Sequence, residues 1–248
     1  DPSSIKIAVP KVKLPNYSVI VSDLKTKNFL NLRGDELLLG YNNGKSAYIK
    51  TLAELFVNES KNITANIDID TFLPEMNTSE NVQTEQKEEI PFINPVAAYM
   101  AYDLKTNINS KLKVRQKKNQ IVSNGYMNID NLTLNIGGIQ LPESKLHITS
   151  KGTNANILSD LFITENENIS IDGMINYSKS PALQMKVKSN EIHLNNILKL
   201  AKAVLDTANI QNNLSDFKGE GYFKTDADFK TNFKKLESEG NITVYNCI

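Results

Sequence analysis

Hydrophobic residues in this chain recur mostly at every second position. In Asn131-Leu132-Thr133-Leu134-Asn135-Ile136 aliphatic and polar side chains alternate strictly, as in a strand with one dry face and one wet face. The same alternation runs through Ile63 to Ile69, through Leu104 to Val114 with Ile108 and Leu112 in phase, through Leu183 to Val187, and from Phe223 to Phe229. Strands of parallel sheets, covered on both faces, read as continuous apolar runs, so the alternation predicts a meandering antiparallel sheet. Parity also predicts which side chains share a face. If Leu132, Leu134 and Ile136 line one side, then Leu146 and Ile148, Ile169 and Ile171, Leu183, Met185 and Val187, and Phe223 and Phe229 line it too. A closed sandwich core and an open apolar groove are written in this same alternation, and both readings stand at this point.

One segment departs from the period of two. Leu194, Ile197, Leu198, Ala201, Val204, Leu205 and Ala208 fall on one helical stripe, with Lys199, Lys202, Asp206 and Asn209 opposite. This predicts a single amphipathic helix near 195–209, with Asn195 or Asn196 as its N-cap. A shorter stretch, Ala47 to Val57, mixes helical spacing with a β-prone end and fits either element.

Two features divide the chain. The region from Glu75 to Gln86 is poor in apolar residues, rich in Glu, Asn, Thr and Gln, and bracketed by Pro74 and Pro91. Such a segment buries too little apolar surface to offset its ordering entropy and reads as a mobile polar loop. The predicted organisation is an N-terminal β unit at 1–74, a polar linker at 75–95 and a larger β unit at 96–248. An internal repeat supports this seam: residues 52–64 lie over 158–170 without a gap, six positions being identical and Glu54/Asp160, Val57/Ile163 and Thr64/Ser170 conservative. Repetition of a strand-rich unit suggests an extended β-structure that grows by adding units.

Composition narrows the chemistry. The 248 residues are 40% hydrophobic and 23% charged, which is globular, and 28 basic residues balance 28 acidic ones. A neutral chain offers no electrostatic footprint for nucleic acid. Cys247 is the single cysteine, so no internal disulfide or cysteine-based zinc site can form. His147 and His193 each sit between two aliphatics on an alternating strand and are expected on the wet face. Asn66-Ile67-Asp68-Ile69-Asp70 alternates oxygen ligands like the start of a calcium loop, but Thr71 and Asn77 stand where such a loop needs glycine and glutamate. Gly219-Glu220-Gly221 lacks the third glycine of a dinucleotide fingerprint and reads as a turn or bulge. No nucleophile elbow is present. The expectation is therefore a non-enzyme without metal or cofactor. The Lys111, Lys113, Arg115, Lys117, Lys118 run reads as a solvated strand face, with anionic lipid headgroups as the alternative contact. Asn-x-Ser/Thr sequons at Asn62, Asn131, Asn168 and Asn241 are expected by chance in so Asn-rich a chain. No apolar stretch is long enough to span a membrane, and the start at Asp1 suggests a fragment or mature segment, upstream of which a signal peptide or an anchor could have stood.

The last seventy or so residues carry a resemblance. Leu183-Gln184-Met185-Lys186-Val187-Lys188-Ser189-Asn190-Glu191-Ile192-His193-Leu194, followed by the amphipathic helix, resembles the recurring strand-and-helix element of the AsmA-like superfamily, which includes the TamB-type bacterial envelope proteins. Gly219 to Phe229, followed by Leu236 to Val244, is similar to that family's glycine-punctuated strand pair, although Cys247 replaces its usual final glycine. The resemblance is clearest over 170–248, weaker over 96–170 and faint before 75. It implies a long, twisted antiparallel sheet curled into an open groove, a half-pipe, in a periplasmic protein anchored in the inner membrane at full length. It further implies transfer of phospholipids toward the outer membrane, with acyl chains as ligands of the parity-defined lining. The alternatives are a protein-interaction module that assists outer-membrane or envelope proteins by strand addition, and a structural spacer.

Overall fold

The computed structural model describes residues 12–42, 46–71, 95–117, 120–178, 180–207, 219–233 and 235–246. The predicted polar linker lies outside them except at its last residue. The chain opens with β1 (Val12–Ser22), β2 (Phe29–Asn42), β3 (Ser46–Val57) and β4 (Ser60–Thr71). After α1 (Pro95–Tyr102) come β5 (Lys105–Lys117), β6 (Gln120–Ile136), β7 (Ile139–Gly152), β8 (Asn154–Thr164), β9 (Glu167–Asn176) and β10 (Ala182–Ser189). A two-residue β11 (Ile192–His193) leads into α2 (Leu194–Thr207), and β12 (Tyr222–Thr231) and β13 (Leu236–Tyr245) complete the described chain. All thirteen strands belong to one sheet, in sequence order except that β11 and β13 both pair with β12. The sheet is mainly β architecture in a single layer, open rather than closed into a barrel, with β1 and β13 as its edges.

The ambiguous stretch Ala47 to Val57 is strand, within β3. One further expectation needs correction. The meander is not antiparallel throughout: β4 and β5 run parallel, from Ile63 beside Thr106 to Asp70 beside Lys113. A parallel pair needs a long crossover, and the polar segment followed by α1 supplies it. The expected amphipathic helix is present as α2, and α1 is a second, shorter helix that the sequence reading did not anticipate. Val96-Ala97-Ala98-Tyr99-Met100-Ala101-Tyr102 is apolar all round and has no amphipathic period to detect, although Pro95 at the first helical position is a start signal. Its far end is pinned to β4. Asn62 Nδ2 donates to Asp103 at 3.0 Å and to the Leu104 carbonyl at 3.4 Å, and the Tyr99 hydroxyl donates to the same carbonyl. Burial pushes the Tyr99 phenol up to about 12.

The repeated segments form the same hairpin twice. In the first, Leu55 faces Ile63 and Glu54 faces Thr64; in the second, the equivalent Leu161 faces Ile169 and Asp160 faces Ser170. Only the pairs nearest the turn differ by a residue, because the bulge falls at Asn62 in one and at Ile163 in the other.

Helix α2 lies across the strand ends. It begins directly after β11, so Asn195 and Asn196 sit inside its first turn and neither is the N-cap. The buried Glu167 carboxylate, at the start of β9, serves that end instead, accepting from His193 N at 3.1 Å and from Asn196 Nδ2 at 2.8 Å. Further along, Ala203 packs on the β6–β7 turn, where a Cβ built on Gly137 would come within 3.1 Å of the Ala203 Cβ. Gly137 also has φ +57, so the position needs glycine for both its conformation and its clearance. The span from β9 to the β6–β7 turn is two strand spacings, about 10 Å, which the seven residues from Asn196 to Ala203 cover at 1.5 Å each.

Candidate functional site: an open apolar face

The ladder registers decide which side chains share a face. One row runs Ala65, Ile108, Ile129, Leu146, Ser159, Ile171, Val187, Ala227 from β4 to β12. The next runs Ile67, Ser110, Met127, Ile148, Ile157, Gly173, Met185, Phe229. Leu183 lies beyond Met185 on the same face, Ile169 faces Ser189, and Phe223 stands between Ile192 and Val244. Leu132 faces Ser144, Leu134 faces Leu141 and Ile136 faces Ile139. All twelve residues singled out by parity therefore lie on one face. Two bulges keep them in phase: an extra residue near Asn131, whose φ is +52, and one near Pro142 on the opposing strand.

The same face extends further than the sequence reading reached. Ile63, Ile67 and Ile69 of β4 stack on β5, and Leu55 and Ile49 of β3 continue the surface toward β2. Parity had marked residues only from β6 onward. The parallel joint carries the apolar face through to the N-terminal strands without a break, and no local signal announces a parallel pairing.

Exposure along this face follows a gradient. Eleven of the twelve are half-buried and Ile136 is buried. At the two edges, residues of the same face are open: Val19 and Val21 on β1 are 52% and 41% exposed, and Ile242 and Val244 on β13 are 66% and 50%. The edge strands lack a neighbour on one side among the described residues, which leaves these side chains open. Among the described residues no second layer covers it, and the buried apolar set is short: Val57, Val96, Ile136, Ile192 and four alanines.

Small hydroxyls interrupt the aliphatics, and most are satisfied internally. Ser159 Oγ donates to the Lys145 carbonyl, Thr106 Oγ1 donates to the Asp130 carbonyl, and Ser144 and Ser189 accept from the amides of Phe162 and Thr225, each at 2.9 Å. Several of these bonds stand beside bulges, where the ladder leaves backbone groups unpaired. At the end of the face away from α2, the hydroxyls of Ser123, Ser150 and Tyr177 bond to one another. Ser110, in the middle of the second row, is the exception: its hydroxyl is buried and has no partner among the described residues.

The opposite face is polar and largely self-paired. Asn128, His147, Leu158, Asp172, Lys186 and Asp228 form one of its rows. Lys145 meets Asp160 at 3.0 Å, Lys188 meets Asp226 at 3.1 Å, and His147 Nε2 lies 3.0 Å from Asp130. The Ser170 hydroxyl and then Lys145 hold the Asp160 carboxyl below its ordinary 3.8. His193 packs its ring against Tyr222, 4.2 Å between centroids. Of the basic run, Lys111 and Lys113 are exposed on this face, Arg115 pairs with Asp70, and Lys118 lies outside the described residues. No group of three metal-ligating side chains converges among the described residues.

A hollow of about 460 Å³ opens where α2 crosses the strand ends, between Leu141 and Pro142 of β7, Ile163 of β8, Glu165 of the β8–β9 turn, and Lys199 and Leu200 of the helix. Leu141 is the cross-strand neighbour of Leu134, so the hollow opens off the apolar lining. No helix among the described residues is long and apolar enough to cross a membrane. No protein-family model, no curated protein and no solved structure matches this chain.

Proposed function

We propose that the chain is a lipid-binding segment that shields phospholipid acyl chains on its open apolar face, as part of a cell-envelope protein acting between two membranes. The observation that carries this reading is the single continuous apolar surface, which spans the sheet and has no second layer over it among the described residues. An aliphatic surface of that extent is costly in water and must be covered by something apolar. Acyl chains suit it because each methylene removed from water contributes about 0.8 kcal/mol without needing a directed bond. Ser159, Thr106, Ser144 and Ser189 spend their hydroxyls on internal bonds, with Ser110 unpartnered among the described residues, which supports a ligand held mainly by area. The AsmA-like resemblance of 170–248 points to the same chemistry and supplies the periplasmic setting. In this reading the segment performs no covalent chemistry and uses no cofactor.

The test compares lipid carried through detergent-free purification, by mass spectrometry, for the parent chain and for Met185→Asp. The expected result is phospholipid in the parent and a loss of tenfold or more in the variant, with the circular dichroism of the sheet retained because water reaches an open face. A lipid-free parent, or an unfolded variant, contradicts the reading; in a closed core an unpaired charge costs several kcal/mol.

A second reading has one observation in its favour. Among the described residues β13 pairs on one side only, is exposed along nine of its ten residues and carries no proline, so its other edge could accept a strand from an envelope partner.

A further inference from the structure

We propose that the hollow beneath α2 is a headgroup subsite that selects amphiphiles with a zwitterionic head. This rests on the acyl-chain reading, since the hollow matters only if tails lie on the adjoining face. Its lining combines apolar side chains, Leu141, Ile163 and Leu200 among them, with one cation, Lys199, and one carboxylate, Glu165. Both charged residues are exposed, and neither forms an ion pair with any described residue. They differ in this from the polar face, where Lys145, Lys188, Asp160 and Asp226 are already paired.

The positive end of α2 does not compete for a phosphate. Glu167 is buried there and already accepts from His193 N and Asn196 Nδ2, so a carboxylate occupies the place an anion would take. Lys199 is the remaining cation in the lining. A head bearing a phosphate and an ammonium can place the first by Lys199 and the second by Glu165 while its tails continue over Leu141 onto Leu134. A purely anionic head meets Glu165 unpaired, and that repulsion supplies discrimination as much as the attraction does.

The test equilibrates the purified chain with vesicles of equal phosphatidylethanolamine and phosphatidylglycerol, re-isolates it and measures the ratio of the two by mass spectrometry. The parent is expected to enrich phosphatidylethanolamine about two- to fivefold, the scale of one partly exposed ion pair. Glu165→Lys is expected to turn the preference toward phosphatidylglycerol, and Lys199→Glu to abolish the enrichment while the total bound stays within about twofold. Both sites are exposed, and circular dichroism checks that the variants fold. A parent ratio equal to that of the vesicles, or a ratio that neither variant moves, overturns the subsite while leaving the acyl-chain reading intact. A parent that takes up neither lipid overturns both.

Discussion

Ile192 and Ile129 are the same side chain on the same face of one sheet, yet the first has no exposed surface and the second is half-open. Around Ile192 the structure is packed. Strand β11 presses on β12 at Phe223, α2 departs immediately after it, the Leu194 amide donates to the Gly221 carbonyl at 3.0 Å, and Ser189, Thr225, Ala227 and Glu167 are all buried nearby. Ile129 lies between its ladder partners Ile108 and Leu146. The comparison teaches that large apolar side chains are fully buried where helices meet the sheet, Ile192 beside α2 and Val96 within α1, while the parity-defined residues along the face are almost all half-buried.

The largest stability effect is accordingly expected at the corner. Ile192→Ala should cost about 2 to 5 kcal/mol, the range for emptying a fully buried aliphatic site, read as a drop in the denaturant midpoint. Ile129→Ala should cost about 1 kcal/mol, because only part of the side chain leaves water on folding. Equal costs would mean that the long face is covered after all. Next in size is Gly137→Val, which adds a Cβ against Ala203 at a backbone angle that β-branched residues avoid. It should cost about 1 to 3 kcal/mol, and protection of α2 amides from hydrogen exchange should fall more than that of β8 and β9.

Much of this contrast could be read from the alternation, because a face that recurs at every second residue is apolar whatever lies above it. Leu183, Met185 and Val187 keep a common side by parity within one strand, and their partners follow once the ladders are antiparallel. The phase between Ile129 and Leu132 was not legible. Their separation is odd, and only the bulge at Asn131 returns them to one face. The joint at β4 and β5 was equally hidden, since Ile63 to Ile69 alternates in the same way whether its neighbour runs up or down. Helix α1 escaped because its sequence is apolar on all sides. The N-cap was misplaced by the Asn pair, which looks like a cap, while the capping carboxylate of Glu167 comes from a strand nearly thirty residues earlier in sequence.

Smaller effects are expected on the polar face. Asp160→Asn should cost under about 1 kcal/mol, as for other exposed pairs, since its partner Lys145 is 56% exposed. The Asp160 carboxyl is held below its ordinary value, first by Ser170 and then by Lys145, so its contribution is present above the unfolded value near 4 and is lost as pH falls through the lower folded one. Ser170→Ala should return the carboxyl toward 3.8, followed by carbon-detected NMR titration, and should flatten the acid limb of the stability profile below pH 4. A titration unmoved by this substitution would assign the shift to Lys145 alone. The smallest effect is at Tyr99, whose phenol, pushed up by burial, should ionise near 12 in an ultraviolet titration.

The central claim concerns which of two adjacent residues meets lipid. Met185 and Lys186 are neighbours in β10 and project to opposite faces of the sheet. A photoreactive benzophenone side chain placed at each position in turn, irradiated in cells or with phospholipid vesicles, reads that difference by mass spectrometry. The account predicts phospholipid adducts from position 185 and none above background from position 186. Equal labelling from both positions, or a protein cross-link from 185 in place of lipid, would contradict it.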